Sequence, residues 1–98
     1  MRIIALSTLR GFWEDTANYA DAREPMLAWY RHALKADWHS PAEVKREFGT
    51  ASILRDGRVV FNIAGNKYRL IARVNFRTQR VFVLWILKHG EYAKGDWK

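Results

Sequence analysis

Ninety-eight residues with 49% hydrophobic content are enough to bury a core in one compact domain, residues 1–98. The absence of cysteine excludes disulfides, a thiol nucleophile and Cys-ligated zinc. The net charge of +7 falls wholly in the second half: residues 1–50 carry seven basic and seven acidic side chains, whereas 51–98 set ten Lys and Arg against Asp56, Glu91 and Asp96. Such asymmetry points to a polyanion partner on that half, nucleic acid first. Arg10, Glu14 and Asp15 break up any apolar signal core near the N-terminus. No stretch approaches the roughly 18 apolar residues of a membrane span. A cytosolic protein without a membrane partner is expected.

Arg2 to Ala5 reads as a short first strand. Ser7 can cap a helix whose Leu9, Phe12, Trp13 and Thr16 share one face. A second helix is expected from about Ala22–Pro25 to Ala36, with Met26, Trp29, Tyr30 and Ala33 facing the core and Leu27 and Leu34 widening the stripe. Ser40-Pro41-Ala42-Glu43 carries a capping box with proline at the first helical position, and predicts a short third helix. Strands follow. Ser52–Arg55 and Arg58–Ile63 flank the Asp56-Gly57 turn. Ala64-Gly65-Asn66 leads into Lys67–Phe76, and Arg77-Thr78-Gln79 into Arg80–Leu87. The last run is apolar on both faces and predicts a central, covered strand. The class is α+β: two to three N-terminal helices on one face of an antiparallel sheet.

Within Lys67–Phe76 the residues alternate. Tyr68, Leu70, Ala72, Val74 and Phe76 suit a core. Lys67, Arg69 and Arg73 share the other face and form a comb of cations suited to phosphate. Ile71 lies among them, so part of that face should be covered, by the C-terminal segment or by a partner. Lys88-His89-Gly90-Glu91-Tyr92 follows the next strand. Cations beside a His/Glu/Tyr cluster fit an RNA-cleaving site. Taken singly, His89, Glu91 and Tyr92 would be ordinary surface or packing residues; their joint position beside the comb raises them. Asn62 and Asn66 suit the turn around Gly65, and Asn66 could also contact RNA. His32 and His39, in the neutral half, are read as non-catalytic. No spacing suits a metal, and no cofactor is expected.

The run Val60-Phe61-Asn62-Ile63-Ala64-Gly65-Asn66-Lys67-Tyr68-Arg69-Leu70, followed about twenty residues later by His89-Gly90-Glu91-Tyr92, resembles the HigB family of bacterial toxins in the RelE-like superfamily. Lys35-Ala36-Asp37-Trp38-His39-Ser40-Pro41 resembles that family's interhelical stretch. The resemblance covers nearly the whole chain. It implies a RelE-like fold and the toxin of a type II toxin–antitoxin pair. Such a toxin is an mRNA interferase acting on messages in the ribosomal A site. Its partners are the ribosome and a cognate HigA-like antitoxin, often a helix-turn-helix protein, with which it forms a hetero-oligomer. The family often has Asp after His-x-Glu-Tyr; here Ala93 stands in that place.

Metal-independent cleavage needs a base for the 2′-hydroxyl proton, an acid for the leaving 5′-oxygen and cations for the phosphate. Arg69, helped by Lys67 and Arg73, would hold the phosphate, with Asn66 and Lys88 as further RNA contacts. His89 or Glu91 would be base or acid. Tyr92 would stack on a base or relay a proton. Alternatively Lys67 is the acid, its pKa lowered by neighbouring cations. Two other classes share these features: an RNA-binding module without catalysis, and a basic protein-interaction domain.

Overall fold

A computed structural model describes residues 1–4, 11, 14, 21–65 and 67–95, with His89 represented by its backbone alone. The elements run β1 (Arg2–Ile4), α1 (Arg23–Lys35), α2 (Pro41–Glu47), β2 (Ser52–Ile53), β3 (Arg58–Ile63), β4 (Tyr68–Asn75), β5 (Arg80–Lys88) and α3 (His89–Lys94). Of the helix expected after Ser7, only Gly11 and Glu14 are described, and both are helical. Phe12, Trp13 and the rest of that segment lie outside the described residues.

The five strands form one sheet in the order β1-β5-β4-β3-β2. β2 through β5 make the expected antiparallel meander. β1 departs from expectation by pairing in parallel with β5. The chain between them, which includes α1, α2 and β2–β4, is far longer than the crossover that a parallel pair requires. The sheet is therefore mixed, and the class is α+β.

α1 packs as its spacing predicts, with Met26, Trp29 and Ala33 buried and Leu27 and Tyr30 partly so. Leu34 does not widen the stripe, being 46% exposed. α2 starts as its signature requires. Pro41 opens it, Ser40 Oγ accepts the Glu43 N–H at 3.4 Å, and Glu43 Oε2 accepts the His39 N–H at 3.2 Å. Both helices cover the face of the sheet that carries Val59, Phe61, Ile63, Tyr68, Leu70, Ala72, Val74, Val81 and Val83. Phe61 is the hub of this core. Its ring meets Trp29 edge-on at 5.3 Å and Phe48 at 5.1 Å.

The turns follow their residues. Ala64 and Gly65 both adopt positive φ (54° and 69°), and the Lys67 N–H closes onto the Ala64 carbonyl at 3.2 Å. Glycine takes that conformation without steric cost. Asn75 Oδ1 accepts the Thr78 N–H at 3.1 Å in the next turn, a local side-chain-to-backbone bond of the kind that favours asparagine in turns.

Two expectations about the second face need correction. α3 forms where only a polar cluster was expected, and it lies across this face, so the helices are not confined to one side. A second small core joins Val60 and Ile71 with Leu54, Leu87 and Tyr92. The covering segment inferred from Ile71 is therefore the C-terminal one. Nor is β5 covered throughout, since Trp85 is 42% exposed. Among the described residues, no helix is long and apolar enough to cross a membrane.

Candidate active site

Arg69 lies in β4 on the second face, opposite Asn62 of β3 and Leu87 of β5. It is only 8% exposed. A cation this buried needs compensation. Part of it comes from Tyr92, whose ring centroid is 5.2 Å from the guanidinium carbon. Tyr92 thus touches both the Val60–Ile71 cluster and Arg69. It anchors α3 to the sheet and sets the position of the cation.

α3 begins directly where β5 ends. Lys88 donates its backbone N–H to Glu91 Oε1 at 3.0 Å, closing the first turn. A carboxylate there also meets the positive end of the helix. Lys88 pairs with Tyr68 across the sheet. Positions 88–92 therefore stand at the same end of β4 as positions 67–69. Ala93 is exposed within α3 and does not cap it; the chain leaves the helix at Gly95, in a left-handed conformation.

The cation comb is not uniform. Lys67 Nζ is bonded to Asp21 Oδ2, and Tyr68 donates its hydroxyl to Asp21 Oδ1 at 2.6 Å. These bonds from Lys67 and Tyr68 hold the Asp21 carboxyl below its ordinary value. The bond to Asp21 raises Lys67, the reverse of the lowering that an acid role for Lys67 was expected to use. Burial, then Asp21, pushes the Tyr68 hydroxyl up. Arg73 stands four residues from Arg69, about 13 Å along the strand. Its Nη2 lies 3.8 Å from Asp56 Oδ2, and Arg58 Nε lies 2.7 Å from the same oxygen. The Arg58 contact holds Asp56 below its ordinary value.

The structure thus brings Arg69 and Tyr92 together on the second face, with Glu91 and Lys88 at the same end of the sheet in the first turn of α3, the Lys88 side chain on the face of its partner Tyr68. Lys67 is drawn toward the start of α1, and Arg73 lies toward the opposite end. Asn66 and the His89 side chain lie outside the described residues; the His89 backbone is the first residue of α3. His32 and His39 are accounted for by carboxylates, with His32 Nε2 2.6 Å from Glu47 and His39 Nε2 3.1 Å from Asp37. Among the described residues, no group of three His, Asp or Glu side chains could hold a metal ion. Asp21 and Asp56 were not foreseen. Asp21 sits 46 residues from Lys67, and no local pattern connects them. Asp56 could have been found, because a turn aspartate two residues before Arg58 is within reach of it.

Comparison with known proteins gives a consistent result. A family model described as HigB toxin, the RelE-like toxic component of a toxin–antitoxin system, matches residues 22–95. The mRNA interferase HigB of Escherichia coli O6:H1 (strain CFT073) is 31% identical over 85 residues, covering 85% of this chain and 82% of that protein. The mRNA interferase toxin HigB of Escherichia coli K12 is 25% identical over 89 residues, covering 89% and 86%. The matched region includes both helices of the first face, the whole meander and α3. With three quarters of its length inside the family model, the chain belongs to the HigB toxin family, the RelE-like toxic components of toxin–antitoxin systems.

Proposed function

We propose that this chain is a metal-independent mRNA interferase that cleaves messages in the ribosomal A site of the bacterial cytoplasm. A cognate HigA-like antitoxin neutralises it in a hetero-oligomer. The observation that carries this reading is the near-buried Arg69 held against Tyr92 at the root of α3. A cation fixed in a water-poor setting is preorganised for charge that builds on phosphate. The names of the relatives, mRNA interferase in each case, support the same chemistry.

In the proposed reaction the 2′-oxygen attacks the adjacent phosphorus and the bond to the 5′-oxygen breaks. A 2′,3′-cyclic phosphate and a 5′-hydroxyl result. Arg69 grips two phosphate oxygens. His89 and Glu91 exchange the protons, one taking the 2′-hydroxyl proton and one supplying the 5′-oxygen. Glu91 already accepts the Lys88 N–H, which fixes its carboxylate at the root of α3. Tyr92 orients Arg69 and offers a face to a displaced base. Lys67 acts as a phosphate contact once it leaves Asp21. Arg73, Asn66 and Lys88 follow the RNA backbone away from the scissile bond.

The test is cleavage of an mRNA, free and threaded in a translating ribosome, by the purified chain and by Arg69→Ala and His89→Ala. The expected outcome is cleavage on the ribosome only, lost in both variants. Cleavage of neither substrate by folded wild-type protein, with RNA binding retained, would leave a binding module in its place.

A further inference from the structure

We propose that Trp85 is a stacking platform for one unpaired nucleobase of the RNA that Arg69 holds, and so helps to select the bases flanking the cut. This rests on the RNA reading of the second face given above. Two independent observations carry it.

The first is exposure. Trp85 is 42% exposed in the middle of a strand, where its partner Ile71 is fully buried. An indole that size is normally covered, and leaving it in water forgoes a large apolar gain.

The second is a break in register. From Asn75 to Ala72 the β4–β5 pairs run Asn75 with Arg80 to Ala72 with Val83. The next pair is Ile71 with Trp85, so Leu84 is a bulge residue. Without that extra residue Trp85 would pair with Leu70 and point into the helix-covered core. With it, Ile86 enters that core and Trp85 joins Ile71 and Arg69 on the second face. Bulges often re-aim a side chain beside a functional site. Here the side chain re-aimed is the large exposed aromatic.

Its surroundings favour RNA as the occupant. Arg69 faces Leu87, two residues along β5 and about 7 Å away along the strand. Arg73 and Arg58 face each other at the next row in the opposite direction, and Arg73 is exposed for more than half of its side chain. An aromatic plane between cations is the arrangement that holds a single strand: cations take the phosphates and the ring takes a base.

The experiment uses the full chain and a single-stranded oligoribonucleotide made uncleavable by 2′-O-methyl groups, with affinity read by fluorescence anisotropy at low salt. Trp85→Ala and Trp85→Leu should weaken binding roughly 5- to 100-fold, and Trp85→Phe should largely keep it. One abasic position, moved along the oligonucleotide, should weaken wild-type binding at one place and leave Trp85→Ala unchanged there. Melting temperatures of the variants check folding. The proposal is overturned if Trp85→Ala binds like wild type or if Trp85→Leu binds as well as Trp85→Phe. Absent wild-type binding, or a Trp85→Ala loss confined to antitoxin capture, would also overturn it. Because the oligonucleotide cannot be cut, stacking can stand while the nuclease reading fails, and the reverse.

Discussion

Leu70 and Arg69 are neighbours in the chain, yet they serve opposite faces of one sheet. Leu70 is fully buried under α1 and α2 in a continuous aromatic and aliphatic core. Arg69 is nearly as buried, but its cover is one short helix and a small cluster around Ile71. The first face closes over its centre because Phe61, Leu70, Ala72 and Val81 there are all apolar. The second closes only where Ile71, Val60 and Tyr92 allow, and leaves Trp85 and Arg73 in water. One strand therefore supplies both the core that holds the domain together and the cation to which the proposed chemistry is assigned. Stability and activity should separate residue by residue along β4.

The strongest challenge to that separation is Arg69→Ala. It should lower ribosome-dependent cleavage about 100- to 1000-fold while the protein stays folded, as single-turnover cleavage and circular dichroism would show. If activity survived, the second face would be a binding surface and not a site. The complementary change is Leu70→Ala. It should cost about 2–5 kcal/mol in urea unfolding, with cleavage per folded molecule unchanged. A lost rate at full stability would mean that the two faces are coupled through the strand.

A finer division runs through Tyr92. Tyr92→Ala removes the ring beside Arg69 and should reduce cleavage about 3- to 30-fold. Tyr92→Phe keeps the ring and should restore the rate if the phenol hydroxyl carries no proton. Failure of Tyr92→Phe to recover activity would assign the hydroxyl a part in proton transfer.

The smallest expected effect concerns the Lys67–Asp21 bond. Asp21 is lowered below 3.8, so its contribution to stability is present above about that pH and is lost as pH falls through its folded value. Lys67 is raised above 10.5, so its contribution is present below that pH and is lost as pH rises through its folded value. Asp21→Asn should therefore melt slightly below wild type between about pH 4 and pH 10. The two curves should merge at either extreme. A constant gap at acid pH would show that Asp21 stabilises by something other than its charge.

Much of this was legible in the sequence, because it rests on local periodicity. Alternation in β4 placed Tyr68, Leu70, Ala72 and Val74 in the core, and the Ser40–Glu43 signature placed the start of α2. Ile71 among the cations pointed to a cover for the second face. The Gly-Asn-Lys-Tyr-Arg run and His89-Gly90-Glu91-Tyr92 identified the family. Charge balance between the halves marked residues 51–98 as the basic half, but it hid that Asp21 reaches across to Lys67.

Composition, period and turn chemistry by themselves determined the class, the meander and the principal core; the family came from the resemblance of two short motifs. The first three are properties of residues close in sequence, repeated at intervals of two or about 3.6. Only the tertiary structure decided the parallel partner of β1, the cover of α3 over Arg69, the tie between Lys67 and Asp21, and the bulge that turns Trp85 outward. Each of these pairs residues brought together by chain folding. A single residue of register, as at Leu84, moves a side chain from one face of the sheet to the other without any change in the local pattern.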